Sequence, residues 1–237
     1  MKKVWVQRLL SVSFLLSIFS WVPAQDIKTI PLAEPNKKGG LSVMEALAVR
    51  ASVREWSDRE LSPQDLSDLL WAANGINRPD IKKRTAASAM NAQDVDIYVF
   101  LKEGVYLYDA AHHALSPVTA GDYRKEIGMA RPKPAAGPYP APAGAPTGAP
   151  GSSFPVNLVL ISDISRFGGG TPEKKQEWAA IDTGIVSQNI ALFCAAKGLG
   201  TRPRASISKD TLKTLLKLKD TQLPFLEHPV GYLPTAK

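Results

Sequence analysis

The sequence has 237 residues, 44% of them apolar and 22% charged, a composition that can build the core of one sizeable domain. Its formal net charge is +7, but Lys and Arg form no stripe along any one predicted element. This distribution argues against nucleic acid as a partner. The single cysteine excludes a disulfide within the chain, and no spacing of His, Cys and Asp suggests a metal site.

Residues 1–24 predict a secretory signal peptide. They combine a basic start with an apolar run that ends at Val22-Pro23-Ala24, where small residues suit cleavage. A membrane anchor or a buried helix is the alternative interpretation, but the run is short for a spanning helix. We therefore expect an exported, periplasmic protein with no stable membrane insertion once this leader is removed.

A first helix is predicted after a polar stretch. Residues 25–40 are rich in Pro and Gly and suggest an N-terminal arm or linker before a domain at 41–237. Ser42 and Glu45 have the spacing of a capping box, which opens a helix through Arg50. Its apolar face contains Met44, Leu47, Ala48 and Ala51.

A second helix is predicted from Ser62 to Asn74-Gly75, with Pro63 at its first position. Its apolar stripe has helical spacing and contains Leu66, Leu69, Leu70 and Ala73. The stretch that follows, residues 76–94, is polar and is expected to be irregular.

The middle of the chain predicts a β-hairpin with strands at Val95–Leu101 and Val105–Tyr108. A short strand at 115–118 and a short helix from Asp122 toward Met129 are expected to follow. Strand-forming residues return at Val156–Ser162, which are typical of a buried strand.

Between these elements, residues 131–153 alternate Pro and Ala with Gly. Because Pro removes backbone donors and Gly adds entropy, no regular element is expected there. We interpret the segment as a surface loop inserted in the domain, and a lid or partner-contact loop near the functional site is the alternative.

One long helix is predicted from an N-cap at Thr171 to a C-cap at Gly198. It is apolar on nearly every face, so we expect it to be buried all round, with Asp182 paired to an arginine. Gly184 in its middle suggests a close backbone approach, and Cys194 is expected to be a buried, unreactive thiol.

A last helix capped by Ser208 and two extended segments at 223–226 and 230–233 complete the chain. The elements do not alternate regularly between strand and helix. Their order therefore predicts an α+β fold with a mixed or antiparallel sheet.

Arg50, Ser52 and Arg54 are the first candidate binding residues. Two arginines four positions apart with a hydroxyl between them can converge on one anion, and the guanidinium fork suits phosphate oxygens. The alternative is that the arginines only stabilise the end of a helix. After the long helix, Gly200 and Thr201 form a turn where backbone N–H groups can approach a ligand.

These motifs resemble the FMN-dependent nitroreductase family. The stretches D-T-G-I-V-S-Q-N-I-A-L at 182–192 and A-A-K-G-L-G-T at 195–201 are similar to its core helix, and R-x-S-x-R at 50–54 matches its phosphate-binding segment. Residues 87–93 resemble its P-S-x-x-N-x-Q segment, with Ala in place of Pro. The resemblance spans residues 41–233, except for 131–153, and includes the azoline-dehydrogenase-like branch.

The resemblance implies FMN as cofactor, a homodimer with flavin at its interface, and two-electron ping-pong transfer to a small nitro-aromatic or quinone-like acceptor. It assigns flavin contacts to Asn91 and Ser88 and phosphate contacts to Arg204, besides the residues above. An asparagine that satisfies its own loop is the alternative for Asn91. No catalytic residue can be named, and no Lys and Tyr pair of the azoline branch can be placed.

The predicted export raises a question about the electron donor. NADH or NADPH is the donor that the resemblance suggests, yet an exported enzyme does not meet the cytoplasmic pool. The alternative hypothesis is an exported flavin-binding protein without turnover.

Overall fold

The computed structural model describes residues 26–128 and 154–234. The predicted leader and the Pro-rich segment 131–153 lie outside these described residues. The described ranges form a seven-stranded antiparallel sheet with the order β1-β6-β5-β4-β7-β9-β8, flanked by helices on both faces. The predicted α+β class is therefore confirmed, and the sheet is antiparallel throughout rather than mixed.

The strands of this sheet are β1 Ile30–Pro31, β4 Val95–Phe100, β5 Gly104–Asp109, β6 Ala114–Ala120, β7 Val156–Asp163, β8 Leu199–Thr201 and β9 Gln222–Tyr232. A separate two-stranded ribbon is formed by β2 Ile76–Arg78 and β3 Lys83–Arg84. The helices are α1 Val43–Val49, α2 Pro63–Asn74, α3 Pro172–Ala196 and α4 Lys209–Leu216.

The two faces of the sheet pack against different helices because side chains alternate along each strand. In β4, Ile97 and Val99 join the apolar cluster beneath α2 and α3, whereas Tyr98 and Phe100 join the cluster beneath α4. The core therefore lies in two layers, and α3 covers the larger one.

Capping chemistry fixes the helix starts where the sequence predicts them. Ser42 and Glu45 form the capping box of α1, while Ser62 and Thr171 cap α2 and α3, each of which begins with a proline. Ser208 caps α4. These starts are confirmed because each depends only on residues within one turn of sequence.

The expectation that α3 is buried all round is wrong. Ile181 is 53% exposed, and Gly184 and Gln188 lie on the same exposed face. A methyl group added at Gly184 would meet nothing within 4 Å, so the close approach predicted there is not found within the described chain. By length and composition α3 could cross a membrane, but its other face packs on α2 and the sheet.

The predicted apolar face of α1 also points outward. Met44 and Leu47 are 75% and 46% exposed, and Ala46 is the buried residue of the helix. A helix of seven residues can turn only a narrow face to the core, and the sequence period does not say which side is covered.

Four further expectations need correction. Residues 122–128 form a turn and a single bridge instead of the start of a helix. Residues 76–94 contain the β2–β3 ribbon and two 3₁₀ turns, and the two extended segments near the C-terminus form one strand, β9. The predicted N-terminal arm adds the edge strand β1, which pairs with β6.

Candidate active site

The segment of residues 50–54, here called the arginine segment, is held against β8 by its backbone. Ser52 pairs with Thr201 in a parallel bridge, and the Val53 N–H donates to the Thr201 carbonyl at 3.0 Å. A Cβ added at Gly200 would lie 2.8 Å from Cγ1 of Val53, so this close packing requires glycine. The structure thus brings together two of the predicted motifs.

The arginine segment is extended, so its side chains alternate between two sides. Val49, Ala51 and Val53 line a cavity of about 270 Å³ against the end of α3. On the opposite side of the segment, Arg50 is exposed and Arg54 is half-buried. Neither guanidinium makes a hydrogen bond or an ion pair with any residue in the described ranges, so both can bind an anion.

The Thr201 side chain forms its hydrogen bond inside the core and is not available to a ligand. Its hydroxyl lies 3.2 Å from Nδ1 of His228, whose Nε2 lies 2.9 Å from the Ser187 hydroxyl on α3. Burial lowers the pKa of His228 to about 3, so the imidazole remains neutral and can bridge the two hydroxyls. The turn predicted at Gly200 and Thr201 is instead the strand β8, and the Thr201 hydroxyl and carbonyl are both engaged within the chain.

Arg204 is occupied by an acidic partner. Its Nε donates to Oε1 of Glu227 at 2.7 Å, and its Nη2 contacts the same oxygen. Glu227 is fully buried, and its other oxygen accepts a 2.7 Å hydrogen bond from Asn157. Arg204 therefore neutralises a buried carboxylate, and only its remaining N–H groups can reach a ligand.

Residues 88–93, here called the Asn91 turn, have an unusual backbone. Met90, Asn91 and Gln93 have positive φ angles of 54°, 56° and 48°. Left-handed conformations cost a non-glycine residue about 1–3 kcal/mol, and they cluster at functional sites. The Ser88 hydroxyl accepts from the Gln93 N–H at 2.9 Å and closes the turn.

Side chains from other elements hold the Asn91 turn in this conformation. Arg84 donates to the Gln93 side chain at 2.9 Å, and Arg166 donates to the Gln93 carbonyl at 2.9 Å. Asp182 of α3 accepts the Ala89 N–H at 2.8 Å. With these anchors in place, the Asn91 side chain is exposed and makes no hydrogen bond to the described residues.

The partner of Asp182 differs from the expected arginine. Asp182 and Asp94 are 2% and 0% exposed, and their carboxyl groups interact with each other. The Ser162 hydroxyl donates to Oδ2 of Asp94. Burial raises the pKa of Asp94 to about 6, the Ser162 bond opposes this rise, and the Asp182 carboxyl adds to it.

Sequence reasoning missed the anchors Arg84, Arg166, Asp94 and Glu227. Each of them is separated from at least one of its partners by many positions, so no local spacing reveals it. Asp182 offered one signal, because a lone acid in an apolar helix must find a partner.

The arginine segment and the Asn91 turn are anchored at different positions along α3. The first lies near Cys194 on α3, and the second is anchored at Asp182. At a rise of 1.5 Å per residue these positions are about 18 Å apart along the helix. Within the described ranges, no cluster of His, Cys, Asp and Glu could hold a metal ion.

The chain is similar to known proteins over most of its length. It is 25% identical over 197 residues to a candidate nitroreductase of Methanocaldococcus jannaschii, covering 81% of this chain and 91% of that protein. A crystal structure of a candidate nitroreductase from Ralstonia eutropha matches with a TM-score of 0.74 and 29% identity, covering 89% of this chain and 91% of that one.

The crystal structure of a candidate NADH dehydrogenase or NAD(P)H nitroreductase from Parabacteroides distasonis shares the fold with a TM-score of 0.53. It is 16% identical and covers 82% of this chain and 89% of that one. The profile of the nitroreductase family matches residues 47–232, which include both the arginine segment and the Asn91 turn. The chain therefore belongs to the nitroreductase family, whose members are oxidoreductases.

Proposed function

We propose that the protein is an FMN-dependent oxidoreductase that transfers two electrons to a small acceptor such as a nitro-aromatic compound or a quinone. The observation that carries this proposal is the pair of guanidinium groups at Arg50 and Arg54, which lack partners in the described ranges and flank the exposed Ser52. Two unpaired cations beside a hydroxyl suit a phosphate monoester, which is a dianion near neutral pH.

The Asn91 turn fits the other end of the same cofactor. An amide side chain both donates and accepts hydrogen bonds, and the edge of a flavin ring offers carbonyl and N–H groups in alternation. The anchored backbone presents the exposed Asn91 amide without further rearrangement. FMN supplies the redox chemistry when bound, and these residues bind and orient it.

We propose a homodimer because the α3 positions that anchor the two parts of the site are about 18 Å apart along the helix in one chain. The exposed face of α3, with Ile181, Gly184 and Gln188, is available for a second copy. If two copies of α3 cross in opposite directions near Gln188, the Asn91 turn of one lies beside the arginine segment of the other. An isologous contact of this kind forms two equal sites.

The proposed electron donor is NADH or NADPH, because the Parabacteroides distasonis protein of the same fold is a candidate NADH dehydrogenase or NAD(P)H nitroreductase. The second candidate is an exported flavin-binding protein without turnover, which the signal-peptide pattern of residues 1–24 favours. Stopped-flow mixing of the holoprotein with each nucleotide separates them. Rapid bleaching of the flavin supports the enzyme, and an unchanged spectrum supports the binding protein.

The absorption spectrum of the purified protein tests the cofactor itself. We expect flavin bands, or uptake of added FMN by calorimetry with one FMN per chain. Light scattering at micromolar concentration is expected to give twice the mass of one chain. A colourless protein that takes up no FMN contradicts the proposed function, and a monomer that still binds FMN contradicts the dimer.

A further inference from the structure

We propose that Asp182 is a positioning residue for the Asn91 turn, and that a proton shared between Asp182 and Asp94 keeps this turn in its binding conformation. This inference rests on the proposed function, because the ligand of the turn is taken to be FMN. Asp182 is buried and is not proposed to touch the ligand, so it acts on the site through the backbone of Ala89.

The shared proton follows from the chemistry of the pair. Two carboxylates are both acceptors, so they can form a hydrogen bond only if one of them is protonated. Oδ1 of Asp94 has no hydrogen-bond donor within the described ranges, and Oδ2 already accepts from Ser162. A proton on Asp94 would satisfy both carboxyl groups, and Asp182 would still accept the Ala89 N–H.

Other charged groups near Asp94 oppose this protonation without reversing it. Arg166 interacts with Asp94 electrostatically, but its guanidinium is bound by Asp96 at 2.6 Å. Arg84 lines the same small cavity as Asp94 and is bound to Gln93. Burial and the Asp182 carboxyl outweigh both, so the pKa of Asp94 is raised to about 6.

Loss of the proton affects the turn through Asp182. Above pH 6 the buried pair carries two charges, and the carboxyl groups repel each other. If Asp182 turns away, Ala89 loses its acceptor and the left-handed residues Met90 and Asn91 lose an anchor. Since such conformations persist only where their surroundings enforce them, the Asn91 amide is then presented less often.

The test measures FMN affinity by fluorescence quenching between pH 5 and 8. The phosphate of FMN titrates near pH 6 itself, so the wild type is compared with Asp94→Asn, in which an amide N–H replaces the shared proton. We expect the wild-type Kd to rise about fivefold more than that of Asp94→Asn over this range. Asp182→Ala is expected to weaken FMN about tenfold at pH 5.

Two further variants distinguish positioning from general stability. Ser162→Ala removes the bond that lowers the pKa of Asp94, so the midpoint of the pH dependence should move to higher pH. Asp220→Asn changes an exposed carboxylate to an amide and should leave the profile unchanged. If Asp182→Ala does not fold, Asp94→Asn and Ser162→Ala still decide the question.

Hydrogen exchange of a peptide covering residues 86–93 gives a readout without ligand. We expect its protection, corrected for intrinsic rates, to fall above pH 6 in the wild type and to remain constant in Asp94→Asn. Wild-type affinity and protection in Asp182→Ala, or the wild-type pH dependence in Asp94→Asn, would overturn the inference. A wild type that binds no FMN at any pH contradicts the proposed function, and the exchange result then still tests the positioning role.

Discussion

The two halves of the candidate site are built in opposite ways. The arginine segment is held by backbone contacts with β8, and the Arg50 and Arg54 side chains keep their hydrogen-bonding capacity for a ligand. The Asn91 turn is held by side chains of distant residues, while its own backbone is strained. Substitutions in the first half should therefore change ligand binding, and substitutions around the second should change geometry.

Arg204 differs from Arg50 and Arg54, because its guanidinium is bound by Glu227 within the chain. We therefore expect the largest effect on stability from a substitution of Glu227. Glu227→Ala leaves a half-buried guanidinium without its carboxylate partner and removes the shorter of the two hydrogen bonds that Asn157 donates. Breaking a buried ion pair costs about 3–5 kcal/mol, and the partial exposure of Arg204 puts the expected loss at the lower end. Urea denaturation measures it.

The exposed pair of Lys213 and Asp220 supplies the control for this experiment. Asp220→Ala breaks an ion pair on the surface, where screening removes most of its contribution, so the midpoint of unfolding should not change. Equal midpoints for Glu227→Ala and wild type would show that the stability of the fold does not depend on the Arg204–Glu227 pair.

Arg50→Ala tests whether the arginine segment acts in ligand binding and not in stability. A charge-assisted hydrogen bond contributes about 1.5–3 kcal/mol, so FMN affinity should fall about tenfold to a hundredfold while stability changes little. Arg50→Lys should restore only part of the affinity, because a point charge replaces a bidentate fork. Titration of both variants with FMN by calorimetry gives the values.

Riboflavin provides the matched ligand, since it lacks the phosphate. Its affinity should be nearly the same for wild type and Arg50→Ala. Equal losses for FMN and riboflavin would remove Arg50 from the phosphate site and would support its alternative role at the end of α1.

The smallest expected effect concerns the packing that holds the arginine segment. Gly200→Ala introduces a methyl group 2.8 Å from Val53 and 3.0 Å from Leu233. Overpacking costs about 1–3 kcal/mol, and the lower end applies because Leu233 is 44% exposed and can shift. Thermal unfolding measures the loss, and FMN affinity should fall with it.

Gly184→Ala is the control, because its methyl group meets nothing within 4 Å in the described chain. The stability of a single chain should rise by up to about 1 kcal/mol through helix propensity. A loss of dimer by light scattering would support helix crossing at this position, whereas equal loss of stability in both glycine variants would contradict the close packing at Gly200.

Local signals in the sequence predict much of this fold. The caps Ser42, Ser62, Thr171 and Ser208 act within one turn, and the hairpin of β4 and β5 follows from alternation and a short turn. The exposed face of α3 was not predictable, because composition does not tell which side another element covers. The helix expected from Asp122 toward Met129 is not found. Residues 122–128 form a turn and a bridge to Ile207, which is distant in the sequence.

Some residues of the candidate site could likewise be predicted from the sequence, and others could not. The residues that would face a ligand, among them Arg50 and Asn91, form short motifs that a sequence displays directly. The residues that hold them act across long separations, as Asp182 does for Ala89 and Glu227 for Asn157. Such partners become visible only after the chain has folded, since no periodicity links them.

Because Cys194 is buried, the folded protein has little thiol reactivity of its own. The side chain is 1% exposed, and burial raises the pKa of its thiol far above the usual range, so little thiolate exists while the chain is folded. A cysteine introduced on the surface would therefore react alone and carry a spectroscopic probe without removal of the native one. Slow modification of Cys194 in the unaltered chain would in turn time the rare openings of the core around α3.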